Sequence, residues 1–118
     1  MYNIEHRAEM DAENVMKNIK DLMKNPDNNI DEIMEMPLEV SFRSNWHNYG
    51  EDLKPEEYKI LITTGGPAIQ ITGDLDEFNT PVSATLEYTD WMKTWEKLPL
   101  TEDEDKILLD FVNIIIPS

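Results

Sequence analysis

The apolar residues of this chain change their spacing twice, and few folds accommodate both changes. Ala8, Ala12, Val15, Met16, Ile19, Leu22 and Met23 recur every three or four residues, which puts them on one face of an amphipathic helix over residues 4–24. Asn25-Pro26 stops it, because proline lacks the helical donor and clashes with the turn before it. A short second helix is expected over 28–34, capped by an Asn and ended by Pro37. The period then falls to two. Leu38, Val40 and Phe42 alternate with Glu39, Ser41 and Arg43, as in a strand with one buried face. Tyr58 to Thr64 is rich in β-branched residues and reads as a second strand, Ala68 to Thr72 as a third. Val82, Ala84, Leu86 and Tyr88 alternate with Ser83, Thr85 and Glu87 in a fourth.

The connections between these strands are short, which favours antiparallel neighbours, since parallel pairing needs a long crossover. Thr101 and Glu104 fit a capping box. The helix behind it carries Ile107, Leu108, Phe111, Val112 and Ile115 and is apolar almost all round, so it is expected against the sheet or a second copy. The reading is one α+β domain over 1–118: a helical segment (1–37), about four antiparallel strands (38–99) and a C-terminal helix (100–118) packed on the sheet.

Charge restricts the partners of such a domain. Asp and Glu number 25 against 10 Lys and Arg, a net charge of −15. The excess is −5 over residues 1–37, −6 over 38–99 and −4 over 100–118. A surface this acidic repels nucleic acid and anionic membrane and is drawn to basic protein surfaces, including those that hold nucleic acid. The chain is no disordered acidic tail, because Trp46, Trp91, Trp95, four Tyr and three Phe call for a packed environment. It contains no cysteine, which removes disulfides and thiolate metal sites and suits a cytoplasmic location. The first residues lack the basic and apolar regions of a signal peptide, and the longest apolar run, Ile114 to Ile116, is far short of a membrane span.

From Leu38 onward the chain resembles a family of small acidic proteins, mostly uncharacterised, from phages and mobile elements of Gram-positive bacteria. The resemblance rests on Val40-Ser41-Phe42-Arg43-Ser44-Asn45-Trp46-His47, on Glu57 to Ile62 running into Thr64-Gly65-Gly66-Pro67-Ala68, on Ile71 to Asp76, and on Leu86-Glu87-Tyr88-Thr89-Asp90-Trp91 followed by Trp95. It covers about two-thirds of the chain and leaves out the N-terminal helix. Met92-Lys93-Thr94 stands where a Gly-Thr-Pro would be expected before the second Trp. The resemblance implies a setting of phage–host or plasmid–host conflict and supplies no catalytic residue.

Motifs that carry chemistry are weak by comparison. Thr63 to Pro67 lacks the further glycines, the Lys and the helix start of a phosphate loop, and reads as a structural turn. Asp74, Asp76 and Glu77 begin like a calcium loop, but Asn79 and Thr85 stand where Gly and Glu belong, so an acidic hairpin tip is expected. His47 lies between Trp46 and Tyr49 with Asp52 nearby; a lone base without nucleophile or orienting partner is a weak catalytic signal. Trp91 and Trp95, four apart, would share a face on a helical turn and act as a lid over the sheet or as an anchor for a partner.

The expectation is therefore a non-enzymatic inhibitor without metal or cofactor, of the anti-CRISPR or antirestriction kind. It would occlude the basic channel of a nucleic-acid-binding defence nuclease by DNA mimicry. The carboxylates expected to meet the partner are Glu51, Asp52, Glu56, Glu57, Asp74, Asp76, Glu77, Glu102, Asp103, Glu104 and Asp105, with Trp46 and Trp91 fixing the pose. Two alternatives remain open. One is a protein-interaction module of immunity or antitoxin type, monomeric or dimerised through the C-terminal helix. The other is a small-ligand binder or enzyme with a pocket between the Trp46–His47 loop and the Gly65–Gly66 turn.

Overall fold

The computed structural model describes residues 7–64, 66–90 and 93–117. Helix α1 spans Arg7–Leu22 and α2 Ile30–Glu35; strands β1 (Glu39–Arg43), β2 (Glu57–Thr63), β3 (Ala68–Asp74), β4 (Thr85–Thr89) and β5 (Glu96–Lys97) follow, and α3 spans Glu102–Ile115. The strands form one antiparallel sheet in the order β1-β2-β3-β4-β5. The α+β reading thus holds, with a fifth strand added.

The core forms where the helical and strand periods meet. Ala8, Ala12, Met16, Ile19 and Leu22 make the buried stripe of α1, and its small residues let the helix lie close to β3 and β4. Leu108, Phe111 and Val112 are the buried face of α3. Both helices pack on the sheet residues Tyr58, Ile60, Ile62, Ile69, Ile71, Leu86 and Leu98. In-register pairing explains this alignment: Val40, Ile60, Ile71 and Leu86 lie opposite one another across successive strands.

Thr101 caps α3 in a full capping box, its hydroxyl accepting from Glu104 N–H while the Glu104 carboxylate accepts from Thr101 N–H. That bond, aided by Lys20 and opposed by partial burial, holds the Glu104 carboxyl below the usual carboxylate range. At α2 the expected Asn cap is used differently. Asn29 makes no side-chain bond to α2, and its amide donates to Leu22 O at 3.1 Å, closing the end of α1 instead.

Some local expectations are overturned. The chain bends at Lys93 and runs through Trp95 into β5; Trp91, expected to share a face with Trp95 on a helical turn, lies outside the described residues. The fourth strand starts at Thr85, because Pro81 is held in an isolated bridge to Leu75 before the ladder begins. Leu38, Val40 and Phe42 are exposed, since α1 and α3 cover the middle of the sheet and leave the β1 edge bare. On the C-terminal helix Leu108, Phe111 and Val112, with Ile116 just beyond it, fill the chain's own core, while Ile107, Ile114 and Ile115 are partly buried.

Candidate functional site

The loop from Ser44 to Glu56, between β1 and β2, is tied at its roots. Glu56 N–H donates to Arg43 O at 2.9 Å, and Asn45 N–H donates to the Glu56 carboxylate at 2.9 Å. The Arg43 guanidinium grips Glu57. At the tip, Glu51 N–H donates to Asn48 O, the Asn48 amide donates to the Glu51 carboxylate at 3.2 Å, and His47 Nδ1 lies 3.4 Å from that carboxylate. His47 is turned inward and its Nε2 is shielded from water. The loop offers solvent both charge, on Glu51, Asp52 and Lys54, and apolar surface. Trp46 and Tyr49 are fully exposed, and Leu53 is 75% exposed. The expectation that Trp46 is packed fails: Phe111, Tyr58 and aliphatic side chains fill the core, and among the described residues none covers the Trp46 ring.

The candidate carboxylates separate into two kinds. Glu56, Glu57, Asp76 and Glu104 are half-buried and serve the fold. Glu56 and Glu57 hold the loop root as described. Asp76 Oδ1 accepts from Phe78 and Thr80 N–H at 2.9 Å each, which fixes the turn where Asn79 takes a positive φ of 63°. Glu104 completes the α3 cap. By contrast Asp52, Asp74, Glu77, Glu102, Asp103 and Asp105 are exposed, and Glu51 is exposed while its carboxylate also takes the Asn48 amide and lies against His47.

Position separates them again. Glu57 lies directly opposite Asp74 across β2 and β3, and Leu75 N–H donates to Glu56 O at 2.8 Å. The β1–β2 loop and the Asp74–Glu77 turn thus share one end of the sheet. Glu102 to Asp105 begin α3 just beyond β5, three strands from β2 or about 14 Å at ordinary strand spacing. Two of the three acidic groups stand together, and the third enters from the opposite edge.

The sheet face away from the helices forms a trough of about 780 Å³. Its floor is polar: the Gln70 amide donates to Glu87 at 2.8 Å and the Thr72 hydroxyl to the same oxygen at 3.2 Å. Three cations, Arg43, Lys59 and Lys97, and three carboxylates, Glu57, Asp74 and Glu87, line it, with Trp95 on the β5 side. The lining of the trough is charge-balanced on an otherwise acidic molecule. A pocket was expected between the Trp46–His47 loop and the glycine turn, of which Gly65 lies outside the described residues. Gly66 lines a shallower hollow of about 460 Å³ with Arg7, Asp11 and Pro67, to which the 44–56 loop contributes nothing. Among the described residues no group of three or more His, Asp or Glu gathers to hold a metal ion, and no helix is long and apolar enough to cross a membrane.

Sequence reasoning missed Tyr49, Leu53 and Phe78 as surface features; Phe78 is 73% exposed at the Asp76 turn. The available signal was that these residues belong to no apolar period. An apolar residue inside a polar connection has no ladder or helix face to bury it. Comparisons with protein-family models, with curated proteins and with solved structures find no match.

Proposed function

We propose that this protein is a non-catalytic binding module that seats its acidic, aromatic sheet end on a basic, nucleic-acid-binding protein surface and blocks it by occupancy. The observation that carries the reading is the company Trp46 and Tyr49 keep. Both rings stand in water at the end of the sheet that also presents Glu51, Asp52, Asp74 and Glu77. Exposed aromatics are the residues that most often anchor a protein interface, and surrounding charge steers the encounter and orients the pose. The resemblance of residues 38–118 to phage and mobile-element proteins supports a restriction or CRISPR nuclease as the class of target, met in the bacterial cytoplasm. Mimicry of duplex phosphates then involves first the carboxylates of this end, which stand together; those at the start of α3 enter from the opposite edge of the sheet.

The test is capture from a bacterial lysate by immobilised protein, washed in parallel at low and high salt. The expected result is retention of a nucleic-acid-binding protein that is released as salt rises and is not retained by the Trp46→Ala/Tyr49→Ala variant. Retention unaffected by that double substitution would contradict the assignment of the site.

A second reading has its own observation, the charge-balanced trough over Lys59, Gln70, Thr72 and Glu87. A small polar, zwitterionic ligand suits it better than an anion would suit the rest of the surface. Thermal stabilisation by an amino acid or similar zwitterion, lost in Glu87→Ala, would favour that reading.

A further inference from the structure

The two edges of the sheet are unlike. β5 is two residues long and is followed closely by Pro99, a short edge of the kind that resists pairing. β1 is five residues long and contains no proline, and among the described residues it pairs with β2 on one side only. No described strand lies along its other side, which presents a row of backbone donors and acceptors. On the helix side of the sheet, Leu38, Val40 and Phe42 are 60%, 38% and 52% exposed; the chain's own helices do not reach them. On the other side stand Glu39, Ser41 and Arg43.

The sequence of β1 is self-complementary when run antiparallel to itself. A two-fold axis through Ser41 sets Glu39 opposite Arg43 of the copy, twice, and Val40 opposite Phe42 of the copy, twice. Sliding the register by two residues in either direction separates Glu39 from Arg43. Arg43 already pairs with Glu57 on that face, so in the symmetric arrangement it lies between a carboxylate of its own chain and one of the copy. A directly opposed ion pair and an aromatic–aliphatic pair both favour strand association.

We infer that β1 is a homodimer seam, joining two five-stranded sheets edge to edge about Ser41 into one continuous antiparallel sheet. A closed, isologous contact of this kind ends at two copies. The seam is made by β1 itself, with the Trp46 loop following at its end, and the inference does not depend on the identity of any further partner. Because each chain carries −15, long-range repulsion opposes the seam, and added salt strengthens the dimer.

Sedimentation equilibrium of the full chain, from micromolar to millimolar concentration and at low and high salt, tests this. The expected result is a monomer–dimer equilibrium that salt shifts toward the dimer. Glu39→Arg, which opposes two like charges at each end of the seam, should abolish dimerisation with circular dichroism unchanged, and Glu39→Arg/Arg43→Glu should restore it. A monomer at every concentration, or a dimer indifferent to Glu39→Arg, overturns the inference.

Discussion

At Gly73 the sheet has no room for a side chain. This glycine lies opposite Tyr58 in the β2–β3 ladder. A Cβ built on it would collide with Ser83 O and stand 2.7 Å from the Tyr58 ring. The Tyr58 hydroxyl donates to that same Ser83 oxygen at 2.6 Å. Burial, reinforced by the charge of Asp74, pushes the phenol well above its ordinary pKa and keeps it a neutral donor. Gly73→Ala must displace ring or backbone, and is expected to cost about 1–3 kcal/mol in denaturant unfolding. Thr101→Ala removes the hydroxyl half of the α3 cap and is expected to cost about 1 kcal/mol. Because the Glu104 carboxyl is held below its unfolded value, its contribution is present above the ordinary carboxylate range. It is lost as pH falls through the lowered value, and Glu104→Gln should flatten that part of the pH–stability curve.

At the scale of elements, legibility followed the length of each pattern. α1 and α3 were visible because their periods run for three turns or more, and β2 because its branched residues are consecutive. β5 was not, since two residues carry no period. Its place in the sheet comes from Leu98 N–H donating to Leu86 O at 2.9 Å, a tertiary bond. β1 was legible as a strand and misread as buried: alternation reports which residues share a face, and the position of the helices decides whether that face is covered. The same limit applies to Trp46, whose exposure depends on the absence of a covering element among the described residues rather than on its neighbours in the chain. These contrasts predict opposite outcomes for two aromatic truncations. Phe111→Ala, deep in the core, should cost about 3–5 kcal/mol. Trp46→Ala should change unfolding free energy by no more than about 0.5 kcal/mol while weakening partner capture.

Over the whole molecule, the helices, the trough and the acidic end divide the surface into parts with different capacities. The helices shield one sheet face and give the domain its core. The trough on the opposite face has a polar, charge-balanced lining. The end carrying the β1–β2 loop and the Asp74–Glu77 turn combines solvated carboxylates with exposed rings, as a protein that competes for a nucleic-acid-binding surface requires. The most direct measurement of that central claim is competition: partner bound to the immobilised protein, challenged with increasing duplex DNA at fixed salt. The account predicts that DNA displaces the partner, and that Glu51→Gln/Asp52→Asn/Asp74→Asn/Glu77→Gln lowers the DNA concentration needed. A partner that binds DNA and this protein at the same time would contradict it.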